Sequence, residues 1–316
     1  MTRYVFQRVS LIIPTLLGMT VLIFCLVRLL PGDVVTANSG PDANTSAATV
    51  ARVRQALGLS DPLPVQYVNY LGGLVSGNMG KSFLSGEPVS TILGRAIPIT
   101  LELAVLSAVL AILVGVPLGI ISAVRTGTRL DFAARVGGLI GLSLPNFWIA
   151  TLGLLISSVV FHWVPAVTWI PFWTDPLGNL AQVALPAFAL SLSTLAIVMR
   201  MSRASLLEVL REDFVRTARA KGLASTPVVF GHALRNALIP VVTVVGTQVG
   251  GLMGGAAIVE TIFGLPGIGY SLVQSIYQRD YPVIQVAAVY LAAVFVLVNL
   301  GVDLLYGVID PRIQQH

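Results

Sequence analysis

Six separate stretches of this chain, roughly 9–29, 98–124, 132–161, 180–200, 237–262 and 283–309, are apolar over about the 20 residues that a bilayer crossing requires. No other feature narrows the fold as much. In hydrocarbon every backbone N–H and C=O must be satisfied internally, so apolar runs of this length cross as helices. The expected fold is therefore an all-α integral membrane protein with six transmembrane helices. Because a single crossing is not a separate core, residues 1–316 are expected to form one domain. Composition agrees: 55% of residues are hydrophobic, 10% are charged and the mean hydropathy is +0.86, whereas soluble domains are about a quarter charged.

The first run resembles a secretion signal in its basic start and apolar centre. It ends, however, in Arg28-Leu29-Leu30-Pro31-Gly32-Asp33 with no small-x-small cleavage site, so it is expected to remain as the first membrane helix. Cys25 is the only cysteine and lies within this run, where it is expected to serve packing.

Six crossings place both termini on one side, and the basic residues choose that side. With the N-terminus in the cytoplasm, Arg3, Arg8, Arg125, Arg129, Arg135, Arg200, Arg203, Arg211, Arg216, Arg219, Lys221, Arg235 and Arg312 all fall on the cytoplasmic face, 13 of the 19 Lys and Arg residues. The net charge of +5 is then a consequence of topology, and no nucleic-acid partner is expected. Segment 30–97 becomes extracytoplasmic. Within it Val50, Val53 and Leu57 recur at helical spacing, and Pro64 opens a second pattern with Val65, Val68 and Leu71. Both patterns fit helices lying along the outer surface, either capping helix ends or meeting a partner.

Gly77-Asn78-Met79-Gly80-Lys81-Ser82 ends like a phosphate-cradling loop, but Val75 stands where the leading glycine is required. ATP binding through this segment is not expected. Ion-driven carriers place ionisable groups near the middle of the membrane. Here Glu102 and Glu260 fall near outer helix ends, Arg200 near an inner end, and only Asp303 within a span. Asp303 reads as a hydrogen-bonded packing residue or as a substrate contact. His162 and His232 lie far apart without partners at ligand spacing, so no metal site is expected, and no catalytic set can be assembled. The alternative class, an ion-coupled secondary carrier or channel, would also be expected to show internal repeats, and none is found.

Gly246, Gly250 and Gly254 repeat every fourth residue in the fifth run, accompanied by Gly251 and Gly255. Small residues at this spacing let another helix approach closely, either from the same chain or from a second membrane subunit.

A polar stretch between crossings reads DFVRTARAKGLASTPVVFGHALRN at 213–236. At about 100° per residue, Phe214, Val215, Ala218 and Gly222 share one arc, and Arg216 and Arg219 share another. Gly222 is expected to end the helix with positive φ. Such a helix can rest on anionic headgroups or dock to a cytoplasmic partner.

The segment RTARAKG at 216–222 resembles the cytoplasmic EAA loop of permease subunits in bacterial ATP-binding-cassette importers, in the version found in the dipeptide/oligopeptide family. Further matches run in order along the chain: LLPGD at 29–33, PVQY at 64–67, ITLELA at 99–104, LSLP at 142–145, HALRNALIPVVT at 232–243, RDYPVIQ at 279–285 and VDLLYGVIDPRI at 302–313. Arg216 replaces the glutamate that names the loop, and His232-Ala233-Leu234-Arg235 replaces its usual downstream motif; both departures resemble those of the peptide branch.

The resemblance implies a non-catalytic subunit working in a larger complex. A second, homologous permease would complete the translocation pathway, two ATP-binding-cassette ATPases would bind ATP and Mg, and an extracytoplasmic binding protein would deliver and largely select the solute. The cytoplasmic loop 201–236 between helices 4 and 5 would carry the coupling helix, with Phe214, Val215, Arg216, Thr217, Ala218, Arg219, Ala220, Lys221 and Gly222 as the ATPase-coupling residues. Gly246, Gly250, Gly254, Glu260 and Asp303 are the expected helix-packing or pathway residues. The chain itself would hold no cofactor. Closure of the ATPases would move the coupling helix and open the pathway outward.

Overall fold

The computed structural model describes residues 2–29, 55, 60–166 and 168–309, with the side chains of 2–9, 225, 303 and 305–309 outside that description. The candidate helix around Val50, Val53 and Leu57, and the side chain of Asp303, therefore lie outside the described residues. Helices occupy nearly all of the remainder: α1 (Thr2–Leu29), α2 (Leu63–Ser76), α3 (Val89–Val124), α4 (Arg129–Ser143), α5 (Asn146–Val159), α6 (Pro176–Val209), α7 (Asp213–Ala220), α8 (Leu234–Phe263), α9 (Ile268–Gln278) and α10 (Tyr281–Ile309). A π-helical segment, Val228–Ala233, runs directly into α8.

Among the described residues five helical stretches are long and apolar enough to cross a membrane: Ser10–Leu29, Val89–Val124, Pro176–Val209, Val228–Phe263 and Tyr281–Val302. The sixth expected crossing, 132–161, is not one helix. It divides into α4 and α5, which meet at 101°, and the count reaches six only if this bent pair is one span. Pro145 explains the break. It removes a backbone donor and forces Leu144 out of the helical region, and Leu144 is extended at φ −89°, ψ 125°.

Two helices differ from their apolar cores in length. α3 begins at Val89, well before the expected 98, and α6 continues past Arg200 to Val209, carrying a polar extension out of the apolar region. α9 was not expected at all. α2 begins with Pro64 in its first turn as anticipated, but Val65 and Val68 are exposed. Its packed face is aromatic instead. Tyr67 and Tyr70 stack around Phe24 of α1, with ring centroids 5.3 and 6.0 Å from Phe24, and the Tyr67 hydroxyl lies 3.0 Å from Thr20 Oγ1.

The core is built where α3, α6 and α8 meet, around Leu103, Val183, Leu190, Leu252 and Val259. Lipid tails are as apolar as leucine, so close backbone approach, rather than exclusion from water, must hold such helices together. α3 and α6 achieve this at Gly115 and Gly119. A Cβ on Gly115 would sit 2.9 Å from the Leu195 carbonyl oxygen, and one on Gly119 would sit 2.5 Å from that of Met199. α4 lies against the same helix, with Gly138 over Met199 and Gly141 over Ala196.

Gly119→Ala must push two backbones apart, an overpacking that costs about 1–3 kcal/mol. Purified Gly119→Ala protein is expected to unfold at a lower temperature than the parent chain, whereas Gly251→Ala, where a Cβ meets nothing within 4 Å, is expected to leave Tm unchanged. Equal Tm values for both variants and the parent would contradict the α3–α6 contact.

Candidate functional site

α7 is polar yet firmly seated. Val215 is 0% exposed and Ala218 is half-buried, both packed into a cluster with Ala123 of α3, Leu206 of α6, Val228, Val229 and Ala233 of the π-helical segment, and Ala237 of α8. Ser205 Oγ donates to the Ala237 carbonyl at 2.8 Å and ties α6 to α8 beside the same cluster. The π-helical turn brings Val228, Val229 and Ala233 together on the buried side.

The single apolar arc expected for α7 is therefore split. Val215 and Ala218 face the body of the protein, while Phe214 is 43% exposed and shares the outer surface with Arg216, Thr217, Arg219, Ala220, Lys221 and Gly222. Any partner of this helix would meet that outer surface. Asp213 in the first turn and Arg219 in the last suit the helix dipole. Asp213 also pairs with Arg216 at 3.2 Å, an exposed pair that contributes only tenths of a kcal/mol.

The helix ends as its sequence predicts. Gly222 has φ +81°; its amide donates to Arg219 O at 2.9 Å and the amide of Leu223 to Ala218 O at 3.4 Å. These bonds satisfy carbonyls that the helix end would otherwise strand.

Glu260 lies within the membrane helix α8 and is 0% exposed. Its carboxylate accepts from Thr100 Oγ1 at 2.6 Å and from the backbone N–H of Tyr270 at 2.9 Å. Thr100 Oγ1 in turn accepts from the N–H of Ile268 at 2.9 Å. Two side chains on α3 and α8 thus cap the first turn of α9. Gly267 is required beside them, because a Cβ there would collide with the carboxylate. Glu260 is held in packing, away from any open surface of the chain.

The glycine series of α8 divides by face. Gly246 lies against Val302, and a Cβ on Gly250 would be 2.9 Å from the ring of Phe295, so these two admit α10 of the same chain. Gly254 and Gly251 meet nothing within 4 Å.

The Gly77–Ser82 segment follows α2 rather than a strand and forms a turn pinned by Asp280. Ser82 Oγ donates to Asp280 Oδ2 at 2.5 Å, and the N–H of Phe83 donates to Oδ1 at 3.0 Å. Beside it, a cavity of about 290 Å³ opens between α1, α2 and the start of α10, with Arg28, Asp61, Asn69, Tyr70 and Lys81 in its wall. Burial, assisted by Tyr67 and opposed by Arg28, raises the Tyr70 phenol above its ordinary pKa. Among the described residues no three His, Cys, Asp or Glu side chains are grouped to hold a metal.

Sequence reasoning missed Asp280 and a second buried carboxylate, Asp131, which pairs with Arg203. Asp280 lies inside the RDYPVIQ motif, which signalled it. Asp131 pairs across 72 residues and left no local signal.

Residues 1–104 match the N-terminal family described as binding-protein-dependent transport system membrane component, and residues 115–315 match the binding-protein-dependent transport system inner membrane component. The chain belongs to this family. It is 40% identical over 337 residues to the dipeptide transport system permease protein DppB of Escherichia coli (strain K12), covering 99% of both chains. It is 43% identical over 317 residues to a protein of Brucella suis biovar 1 (strain 1330) named as a peptide permease, again covering 99% of each. As an inner membrane component of a transport system, the chain is a multi-pass membrane protein, in keeping with its apolar helices.

Because Val215 is seated on the chain's own core, α7 of this transport component should be ordered without any partner. In Val215→Asp a carboxylate would be buried in that apolar cluster. Trypsin should then cut the isolated protein at Arg216, Arg219 and Lys221 about tenfold faster than the parent. Thr217→Ser, on the exposed side, should leave the rate unchanged. Mass spectrometry of the digest reads both, and equal rates in Val215→Asp and the parent would refute the seating.

Proposed function

We propose that this chain is the non-catalytic, membrane-spanning permease subunit of an importer for di- or oligopeptides or related small solutes. The observation that carries the reading is the full-length 40% identity to a dipeptide transport system permease, with 99% of both chains covered.

In this reading a second permease completes the pathway, an extracytoplasmic binding protein delivers the solute, and two ATPase subunits bind ATP and Mg. Both termini face the cytoplasm, supported by the 13 of 19 basic residues that gather on that side. Segment 30–97 is extracytoplasmic, and loop 201–236 is cytoplasmic and presents α7 to an ATPase. The exposed Phe214, Arg216 and Arg219 support this: aromatic residues and arginine are enriched at protein interfaces. The buried Val215 seats the docked helix against the π-helical segment that runs into α8, in a cluster shared with Ala123 of α3 and Leu206 of α6, so displacement of α7 bears on these membrane helices. The solute would pass between this chain and the second permease, where Gly251 and Gly254 leave a small-residue face on α8 uncovered by the chain itself.

Reconstitution tests the proposal. The complete complex in proteoliposomes should take up labelled dipeptide only with ATP and binding protein, and ligand-loaded binding protein should accelerate ATP hydrolysis. The purified chain alone should neither bind nor hydrolyse ATP. Dipeptide uptake by the chain without ATPases, or ATP hydrolysis by the chain itself, would overturn the reading.

A further inference from the structure

Asp131 stands in the first turn of α4 with its side chain only 1% exposed. Its carboxylate joins three neighbours. Ser122 Oγ, near the end of α3, donates at 2.6 Å; the N–H of Gly127, in the α3–α4 turn, donates at 3.0 Å. Arg203 of α6 donates through Nε at 2.9 Å and Nη2 at 3.3 Å, one bond to each oxygen. Arg135, one turn along α4, places Nε 3.5 Å from Oδ1.

The position of this network matters as much as its bonds. Ser122 is followed by Ala123, and Arg203 precedes Leu206 by about one helical turn; Ala123 and Leu206 both belong to the cluster that seats Val215 of α7. The network therefore lies one step from the α7 seat, at the place where α3, α4 and α6 come together. Apolar contacts such as those around Val215 are non-directional and can slide. A forked, charge-assisted pair fixes both distance and orientation. α4 leads in turn through Pro145 into α5, across the 101° bend.

We propose that the Asp131–Arg203 pair is a mechanical tie that carries displacement of the α7 seat from α6 into α4 and the bent α4–α5 pair. Asp131 and Arg203 are thus positioning residues of the transport cycle. This inference rests on the reading that α7 receives the ATPase stroke. It adds the route by which the stroke reaches helices outside the α7 seat: α7 packs on the π-helical segment in a cluster shared with α3, α6 and the start of α8, and α4 joins that group through Asp131 and its glycine face.

The test uses the assembled complex in proteoliposomes, with ATP hydrolysed and dipeptide taken up measured on the same sample. Asp131→Asn keeps the shape and, with its oxygen accepting from the Gly127 N–H and its amide donating to the Ser122 hydroxyl, can keep both neighbours, but it loses the charge that holds Arg203. Arg203→Gln removes the other partner, and Arg203→Lys keeps the charge without the fork. Peptide imported per ATP should fall about tenfold in Asp131→Asn and Arg203→Gln while stimulated hydrolysis continues, and should fall less in Arg203→Lys. The double variant Asp131→Asn/Arg203→Gln should be no worse than either single variant, since one shared interaction is lost. A parental ratio in both neutral variants overturns the proposal. So does a loss of uptake that only follows the amount of assembled complex, which would assign the pair to folding. Should the neutral variants fail to assemble, Arg203→Lys decides: a lowered ratio supports the tie and a parental ratio refutes it. A parent complex that imports no dipeptide speaks against the functional reading instead, so the two failures are distinct.

Discussion

The contact of α3 with α6 is the constraint on which the remaining architecture rests. Where Gly119 lies under the Met199 carbonyl, the two helices approach at backbone distance, which neither could do with side chains between them. That contact places Ser122 and Ala123 beside Arg203 and Leu206, and so assembles the buried Asp131 network and the seat for Val215 together. At the other end of α3, Thr100 reaches Glu260 and the first turn of α9. α3 therefore takes part at both ends of the bundle, with polar bonds at each end and close packing against α6 at Gly115 and Gly119 between them.

Those polar bonds are all fully used. Glu260 has no surface exposure and spends its oxygens on Thr100 and the α9 amides; Asp280 is taken by Ser82 and Phe83; Asp131 is taken by Ser122, Gly127 and Arg203. Buried carboxylates of this kind are costly unless hydrogen-bonded or paired. Their placement at helix junctions marks them as fastenings of the bundle. By contrast Arg216, Thr217, Arg219 and Lys221 of α7 and its C-terminal end are exposed.

Much of this was legible in the residues. Apolar runs of crossing length located the five long apolar helices among the described residues, and Gly222 foretold both the end of α7 and its positive φ. What sequence obscured follows a pattern. Average hydropathy is blind to direction, so 132–161 read as one span although Pro145 bends it sharply. Helical period grouped Phe214 with Val215 and Ala218, but which part of that arc is buried depends on Val228, Val229 and Ala233, supplied by a π-helical turn that no periodicity announces. The glycines of α8 share a four-residue rhythm, yet the bulk of Val302 and Phe295 on α10 decides that Gly246 and Gly250 are covered while Gly254 is not. Glu260 and Asp131 find their partners 160 and 72 residues away. Pairings across such distances leave no trace in a single sequence.

The central claim is that α7 has two occupied sides in the working complex: an inner one seated on its own bundle and an outer one taken by an ATPase. Thiol labelling reads this directly once Cys25, the only native cysteine, is replaced by Ser. In the isolated chain Thr217→Cys should react rapidly with a water-soluble maleimide and Val215→Cys should not react. On assembly with the ATPases, position 217 should become protected by at least about tenfold, as expected where an interface excludes water, with position 215 unreactive throughout. Labelling at 217 that is unchanged by the ATPases, or labelling at 215 as fast as at 217, would contradict the account.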